Sequence, residues 1–291
     1  MSMLCADFVG AVRSCADFTV FLFMRRRLYA KMGYMNERNI FLKIAYDGRD
    51  FSGWQRQSNA RTVCGELEEA LADVCGAEIT LEGCSRTDAG VHALGQTASF
   101  LLDSGIPTER IVKAVNDRVY RGRFGKCGEI EILEAREMPP DFHARFSSKG
   151  KRYIYKIRNA EKADIFLRDY CFQVDEPLDI EAMKLAAGFV VGTQDFACFQ
   201  SAGGTPREST VRTVFEVELS CSERSPEMLE IAVAGDGFLY NMVRIICGTL
   251  VEIGFGRRAP QEMEDIIASK DRGRAGRTAP PGGLYLKEVF Y

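Results

Sequence analysis

From Asn39 onward the spacing of apolar residues changes period repeatedly, and each change marks an element. Ile40 to Tyr46 reads as a strand ended by Asp47-Gly48. Val63, Leu67, Leu71 and Val74 then fall on one face of a helix, with Thr62 as its N-cap and Gly76 just past its end. Glu78–Gly83 and Gln96–Leu102 read as strands around a loop, Cys84–Gly95, and Pro107 opens a helix to about Val119. Ile130–Arg136 is a further strand. The order then repeats. Lys151–Arg158 sets Tyr153, Tyr155 and Ile157 against Arg152, Lys156 and Arg158, a strand with one charged face. Ile180–Val191 reads as a helix closed by Gly192, and Thr213–Leu219 and Met228–Ala234 as strands. Met242, Ile245, Ile246, Thr249, Leu250 and Ile253 form a second strong helical stripe. Ala259–Ser269 is a last helix and Leu284–Tyr291 a closing strand.

Each half therefore reads β-α-β-β-α-β, which predicts an α+β protein of two ferredoxin-like halves, residues 37–148 and 149–291. Joining the two sheets edge to edge hides one edge strand of each and leaves a cleft between the halves. The basic strand at Lys151 is expected to lie near that cleft. Residues 1–36 lack any persistent period and read as an extension or a mis-assigned start.

Composition adds little to the class, which is that of an ordinary globular chain of 291 residues. Net charge is -3, but it is uneven: residues 110–158 carry 13 Lys/Arg against 6 Asp/Glu. A basic centre in an acidic chain is compatible with a polyanion site or with an ordinary solvated face. Ten Cys form no C-x-x-C pair and only His92 and His143 are present, so the spacing of a zinc site is missing. Cys75 and Cys247 read instead as small buried hydrophobes of a reducing compartment. The best membrane candidate, Phe18–Met24, is too short, and Arg25–Arg27 follow it in the wrong order for a secretory signal. The expected location is the cytoplasm.

The stretch richest in chemistry is Gly83–Gln96. Gly90 and Gly95 allow tight turns and close approach to a ligand, and Arg86, Asp88 and His92 supply the charge. An Arg beside Asp88 would hold the carboxylate ionised, as suits a nucleophile or general base. The same pair would equally brace a tight loop. Tyr153 by its alternation reads as a core aromatic, Arg244, off its helix stripe, as a surface residue or a cap of some carboxylate, and Trp54 as either a core anchor or an RNA contact. Neither His is assigned catalysis.

Five ordered motifs change the weight of these residues. Ser85-Arg86-Thr87-Asp88-Ala89-Gly90-Val91-His92 resembles the active-site motif of the TruA-like tRNA pseudouridine synthase family. Asp47-Gly48 with Phe51, Gly53, Trp54, Gln55, Arg56 and Gln57 resembles its first motif. Asp141–Ser147 followed by Lys151–Tyr155 resembles its central motif, Asn241–Leu250 its C-terminal helix and Thr278–Leu286 its closing strand. The resemblance runs from about residue 39 to 291 in one order. It implies that Asp88 is the catalytic carboxylate and that Tyr153 touches the target uracil. It further implies that Arg86 fills the place of the flipped base and that Arg244 pairs with the carboxylate. The implied activity is isomerisation of uridine to pseudouridine at positions 38 to 40 of the tRNA anticodon stem-loop, without metal or other cofactor, usually by a homodimer. The basic, Gly-rich run Asp117–Gly128 departs from the family pattern, and residues 1–36 have no counterpart in it. Two rivals stay in view: a pseudouridine synthase acting on another RNA, and a tRNA-binding chaperone without activity. A glycosidase is disfavoured because the loop holds no second carboxylate.

Overall fold

The computed structural model describes residues 37–121, 128–204, 208–222 and 225–291. The expectation for residues 1–36, and most of the basic run around 122–127, lie outside the described residues. The strands are β1 (Arg38–Tyr46), β2 (Glu82–Gly83), β3 (His92–Leu102), β4 (Ile130–Met138), β5 (Gly150–Asn159), β6 (Phe172–Val174), β7 (Gly192–Asp195), β8 (Val211–Ser222), β9 (Ser225–Gly235) and β10 (Leu284–Phe290). The helices are α1 (Val63–Cys75), α2 (Thr108–Arg121), α3 (Ile180–Gly188), α4 (Met242–Gly254) and α5 (Glu262–Ser269). The strands form one mixed sheet in the order β4-β1-β3-β10-β5-β9-β8-β7, with β2 beside β3 and β6 beside β5.

The seam between the halves is β3 against β10, a short parallel pairing of His92 with Tyr285 and Ala93 with Leu286. Paired residues share a face of the sheet, so the register locates the helices. Tyr46 pairs with Ala93, Ala93 with Leu286, and Leu286 with Tyr153. Tyr46 packs near Trp54, whose carbonyl accepts from the first turn of α1, while Tyr155, on the same face as Tyr153, is influenced by Cys247 and Arg244 of α4. Helices of both halves thus cover the same face, and the seam runs between the two helical layers.

Local sequence explains the main helices. The Thr62 side chain accepts from Gly65 N–H at 3.3 Å, and Gly76, at φ 67°, closes α1 in the left-handed conformation. All six stripe residues of α4 are buried. Trp54 is a core anchor lying against Gly83. A Cβ at residue 83 would meet the indole Nε1 at 2.3 Å, so Gly83→Ala is expected to destabilise the fold by about 1–3 kcal/mol, read from denaturant unfolding.

β5 lies beside the seam strand β10, near the cleft as expected, and Lys151 Nζ donates to Cys84 O at 3.4 Å, but the next charged side chains of the strand turn the other way. Arg152 binds Glu216 at 2.8 Å and Lys156 lies 3.7 Å from Glu230, both partners across the ladder on the face away from the helices. That basic stripe therefore does not line the helix-side gap. Of the two cysteines singled out, Cys247 is buried and Cys75 only half-buried.

Candidate active site

Residues 84–91 connect β2 to β3 and lie over the helix face at the seam. Gly53, at φ 89°, and Gly48 leave room for them: a Cβ at Gly48 would fall 1.9 Å from Val91 O, and one at Gly53 2.6 Å from Thr87 O. Trp54 N–H then donates to Thr87 O at 3.0 Å. After Thr87 the chain reverses in a turn closed by Val91 N–H to Asp88 O at 3.1 Å, with Gly90 at φ 77° as such a turn requires at its third position. Gly95 serves a different purpose from the one expected. It lies in β3, where a Cβ would meet Lys287 O of the neighbouring strand at 2.5 Å.

Asp88 sits at the start of this turn, its side chain about one-third exposed, with Oδ2 3.5 Å from Nη1 of Arg244 in the first turn of α4. The arginine is held independently of it. Arg244 Nε donates to Ala279 O at 2.8 Å, and Nη1 donates to Asn241 Oδ1 at 2.7 Å, Asn241 being a left-handed residue at the start of α4. Burial pushes the Asp88 carboxyl above the usual aspartate value, and Arg244 works against that rise. The cation beside Asp88 is therefore Arg244 and not the loop's own arginine. Arg86 is exposed between the buried Ser85 and Thr87.

Tyr153 lies below the loop. It is 7% exposed, its hydroxyl pairs with Ser85 Oγ at 2.8 Å, and its ring meets Phe238 edge-on at 5.3 Å. Burial drives its phenol well above the ordinary value, and the charge of Asp88 adds to the rise, so the hydroxyl is neutral. Tyr153 is thus the buried aromatic that its alternation predicts, and the structure sets its hydroxyl against the loop. Phe238 was not among the candidates; nothing in its spacing pointed to the seam.

The two histidines have structural settings. His92 is on the opposite face, stacked on Tyr285 at 4.6 Å, with Nδ1 accepting from Gly48 N–H at 3.1 Å and Nε2 3.2 Å from Asp169 O. Burial lowers its pKa. His143 Nδ1 accepts from Arg145 N–H at 3.0 Å within the bend 139–147. Among the described residues no group of three or more His, Cys, Asp or Glu comes together as a metal site. A separate groove of about 650 Å³ lies between α1 and α2, lined by Arg56, Arg61, Asp73 and Arg118. These arginines are ion-paired to Glu68, Glu66, Glu129 and Asp73.

Residues 43–147 and 186–291 match the family model described as tRNA pseudouridine synthase. The chain belongs to that family. The tRNA pseudouridine synthase A of Acetivibrio thermocellus is 47% identical over 254 residues, 87% of this chain and all of that protein. The tRNA pseudouridine synthase A 2 of Clostridium tetani is 46% identical over 256 residues, 87% of this chain and 99% of that protein. The tRNA pseudouridine synthase A of a Geobacillus species is 42% identical over 255 residues, 87% of this chain and 98% of that protein. Members of the family are isomerases. Within this chain the first matched span holds Asp88 and the second holds Arg244, so the ion pair joins the two spans, and Tyr153 lies on the strand between them.

Proposed function

We propose that this protein isomerises uridine to pseudouridine in tRNA, at positions 38 to 40 of the anticodon stem-loop, with Asp88 as the catalytic residue. The observation that carries the reading is the Asp88–Arg244 pair at 3.5 Å: a half-buried carboxylate with a pre-placed cation, in the gap between two helical layers. The reaction breaks the bond from C1′ to N1, turns the uracil and forms the bond from C1′ to C5. The C5 hydrogen leaves as a proton and N1 gains one, so the overall change is an isomerisation. Attack of Asp88 on C1′, its addition to the ring, and its removal of a ribose proton all require the ionised carboxylate, which Arg244 favours against burial.

A base paired in a stem is out of reach of a carboxylate in such a gap, so the target nucleotide is flipped, at a cost of a few kcal/mol. Arg86, exposed beside Asp88, is long and planar enough to occupy the vacated stack. Tyr153 forms the floor on which the uracil rests, its hydroxyl tied back to Ser85. No redox or energy source enters the balance of this reaction.

We further read each half as a ferredoxin-like unit, residues 37–148 and 149–291. What supports this is the strand order β4-β1-β3-β2 in one and β10-β5-β9-β8 in the other. Among the described residues no helix is long and apolar enough to cross a membrane. A cytoplasmic homodimer follows from the family resemblance, and light scattering reads the subunit number.

The test is pseudouridine mapping of tRNA from a strain lacking the gene. Wild type is expected to restore pseudouridine at positions 38 to 40 and Asp88→Ala to restore none. Restoration by Asp88→Ala would sink the catalytic assignment, and restoration only in another RNA would sink the tRNA substrate.

A further inference from the structure

The loop before Asp88 alternates in burial. Ser85 and Thr87 are buried, Arg86 is exposed and Asp88 is half-buried. Because burial alternates residue by residue, whatever holds 85 and 87 inward leaves 86 and 88 on the outer side. Each inward residue is caught by a tyrosine of the sheet. Tyr46 at the end of β1 pairs its hydroxyl with Thr87 Oγ1 at 2.7 Å, and Tyr153 pairs with Ser85 Oγ at 2.8 Å. Gln96, wholly buried in β3, clamps the main chain of Ser85 from both sides. Its Nε2 donates to Ser85 O at 2.7 Å, while its Oε1 accepts from Ser85 N–H at 3.4 Å and Thr97 N–H at 3.1 Å. Tyr46 is fully buried and near Gln96, so the pins form one connected polar cluster beneath the loop.

We propose that Tyr46 and Thr87 are positioning residues, whose buried hydroxyl pair sets the direction of Arg86 and the reach of Asp88 toward the reacting base. The inference rests on the catalytic role proposed for Asp88. Thr87 precedes Asp88 directly, and the turn at Asp88–Val91 begins where the pin ends, so a shift of Thr87 passes undamped into the carboxylate. Breaking one member of the pair leaves the other hydroxyl buried without its partner, which favours movement of the loop. A displacement of about 1 Å at reacting groups costs about a hundredfold in rate.

The experiment uses full-length protein and four variants: Thr87→Val, Thr87→Ser, Tyr46→Phe and the double Tyr46→Phe/Thr87→Val. Single-turnover pseudouridine formation and tRNA affinity are measured for each, with thermal melting as the check on folding. Thr87→Val is expected to lose about thirtyfold to a hundredfold in rate at saturating tRNA, with affinity held within about threefold. Thr87→Ser keeps the hydroxyl and is expected to regain most of that loss. Tyr46→Phe is expected to match Thr87→Val, and the double variant to fall no further than the worse single one, because both remove one interaction. A Thr87→Val enzyme with a wild-type rate, a Thr87→Ser enzyme as slow as Thr87→Val, or losses that multiply in the double variant would each overturn the proposal. If Thr87→Val does not fold, Tyr46→Phe reads the same bond from the other side. Failure of the wild type to form pseudouridine refutes the functional reading, whereas an active wild type with unimpaired variants refutes this inference alone.

Discussion

Arg244→Met is expected to lower kcat/KM about a hundredfold at neutral pH, some 2.7 kcal/mol, and to move the acid limb of the pH–rate profile upward. Two opposing influences act on Asp88 in the folded protein: burial raises its pKa and Arg244 lowers it. Removing the guanidinium leaves burial unopposed, so the carboxyl rises further and the ionised fraction at any given pH falls. Activity that needs the carboxylate is then lost beginning at a higher pH than in wild type. Met preserves the length of the stem but leaves Asn241 Oδ1 and the carbonyl of the buried Ala279 without their donor, so thermal melting is read beside the kinetics to separate a loss of stability from a loss of rate. Arg244→Lys keeps a charge but not the fork that holds these acceptors together, so it is expected to fall between the two. A profile whose acid limb stays where it was would separate Arg244 from the ionisation of Asp88.

Asp88→Asn is expected to slow pseudouridine formation at least about a thousandfold while leaving tRNA affinity within about threefold of wild type. The amide occupies the same space and still accepts from Arg244, but it neither attacks carbon nor takes a proton. The variant is also expected to melt no lower than wild type at pH 7, for a reason of sign. The Asp88 pKa is raised on folding, so ionising it costs stability. That cost is absent below the pKa of the unfolded carboxyl, builds as pH rises toward the folded value, and stays in full above it. At neutral pH the neutral amide escapes it. Filter binding and thermal melting check the two halves of this statement, and a variant that is inactive because it is unfolded would fail both.

What the sequence disclosed, and what it hid, follows from the range of the interactions. α1 was legible to the residue because its stripe and both its caps are local: Thr62, Val63 to Val74, and Gly76. The strand expected over Glu78–Gly83 is only Glu82–Gly83, although Ile79 and Leu81 are buried. Their apolar alternation is satisfied by packing on α1, where Leu81 N–H reaches Glu68 and Cys64 Sγ reaches Leu81 O, and not by a ladder. α3 stops at Gly188, short of Val191, because Gly192 at φ 118° starts the short edge strand β7. β6 and β7, of three and four residues, are too brief to show a period.

The site divides the same way. The loop around Asp88 stood out by its own composition. Its pairing with Arg244 joins residues far apart in the chain, and only the motif order suggested it. The charged face of β5 was seen, but alternation says that two faces exist and not which one meets the gap. Thr87 stands inside the motif around Asp88, but its pairing with Tyr46 at 2.7 Å carries no sequence signal, since a buried tyrosine at a strand end is ordinary core until the register is known.

The most direct measurement is tritium release from tRNA labelled at C5 of uridine, wild type beside Asp88→Asn under identical conditions. Pseudouridine formation frees the C5 hydrogen, so the account predicts stoichiometric release by wild type and none by Asp88→Asn, although both hold the tRNA. Equal release by the two, or none by either with tRNA bound, would contradict it.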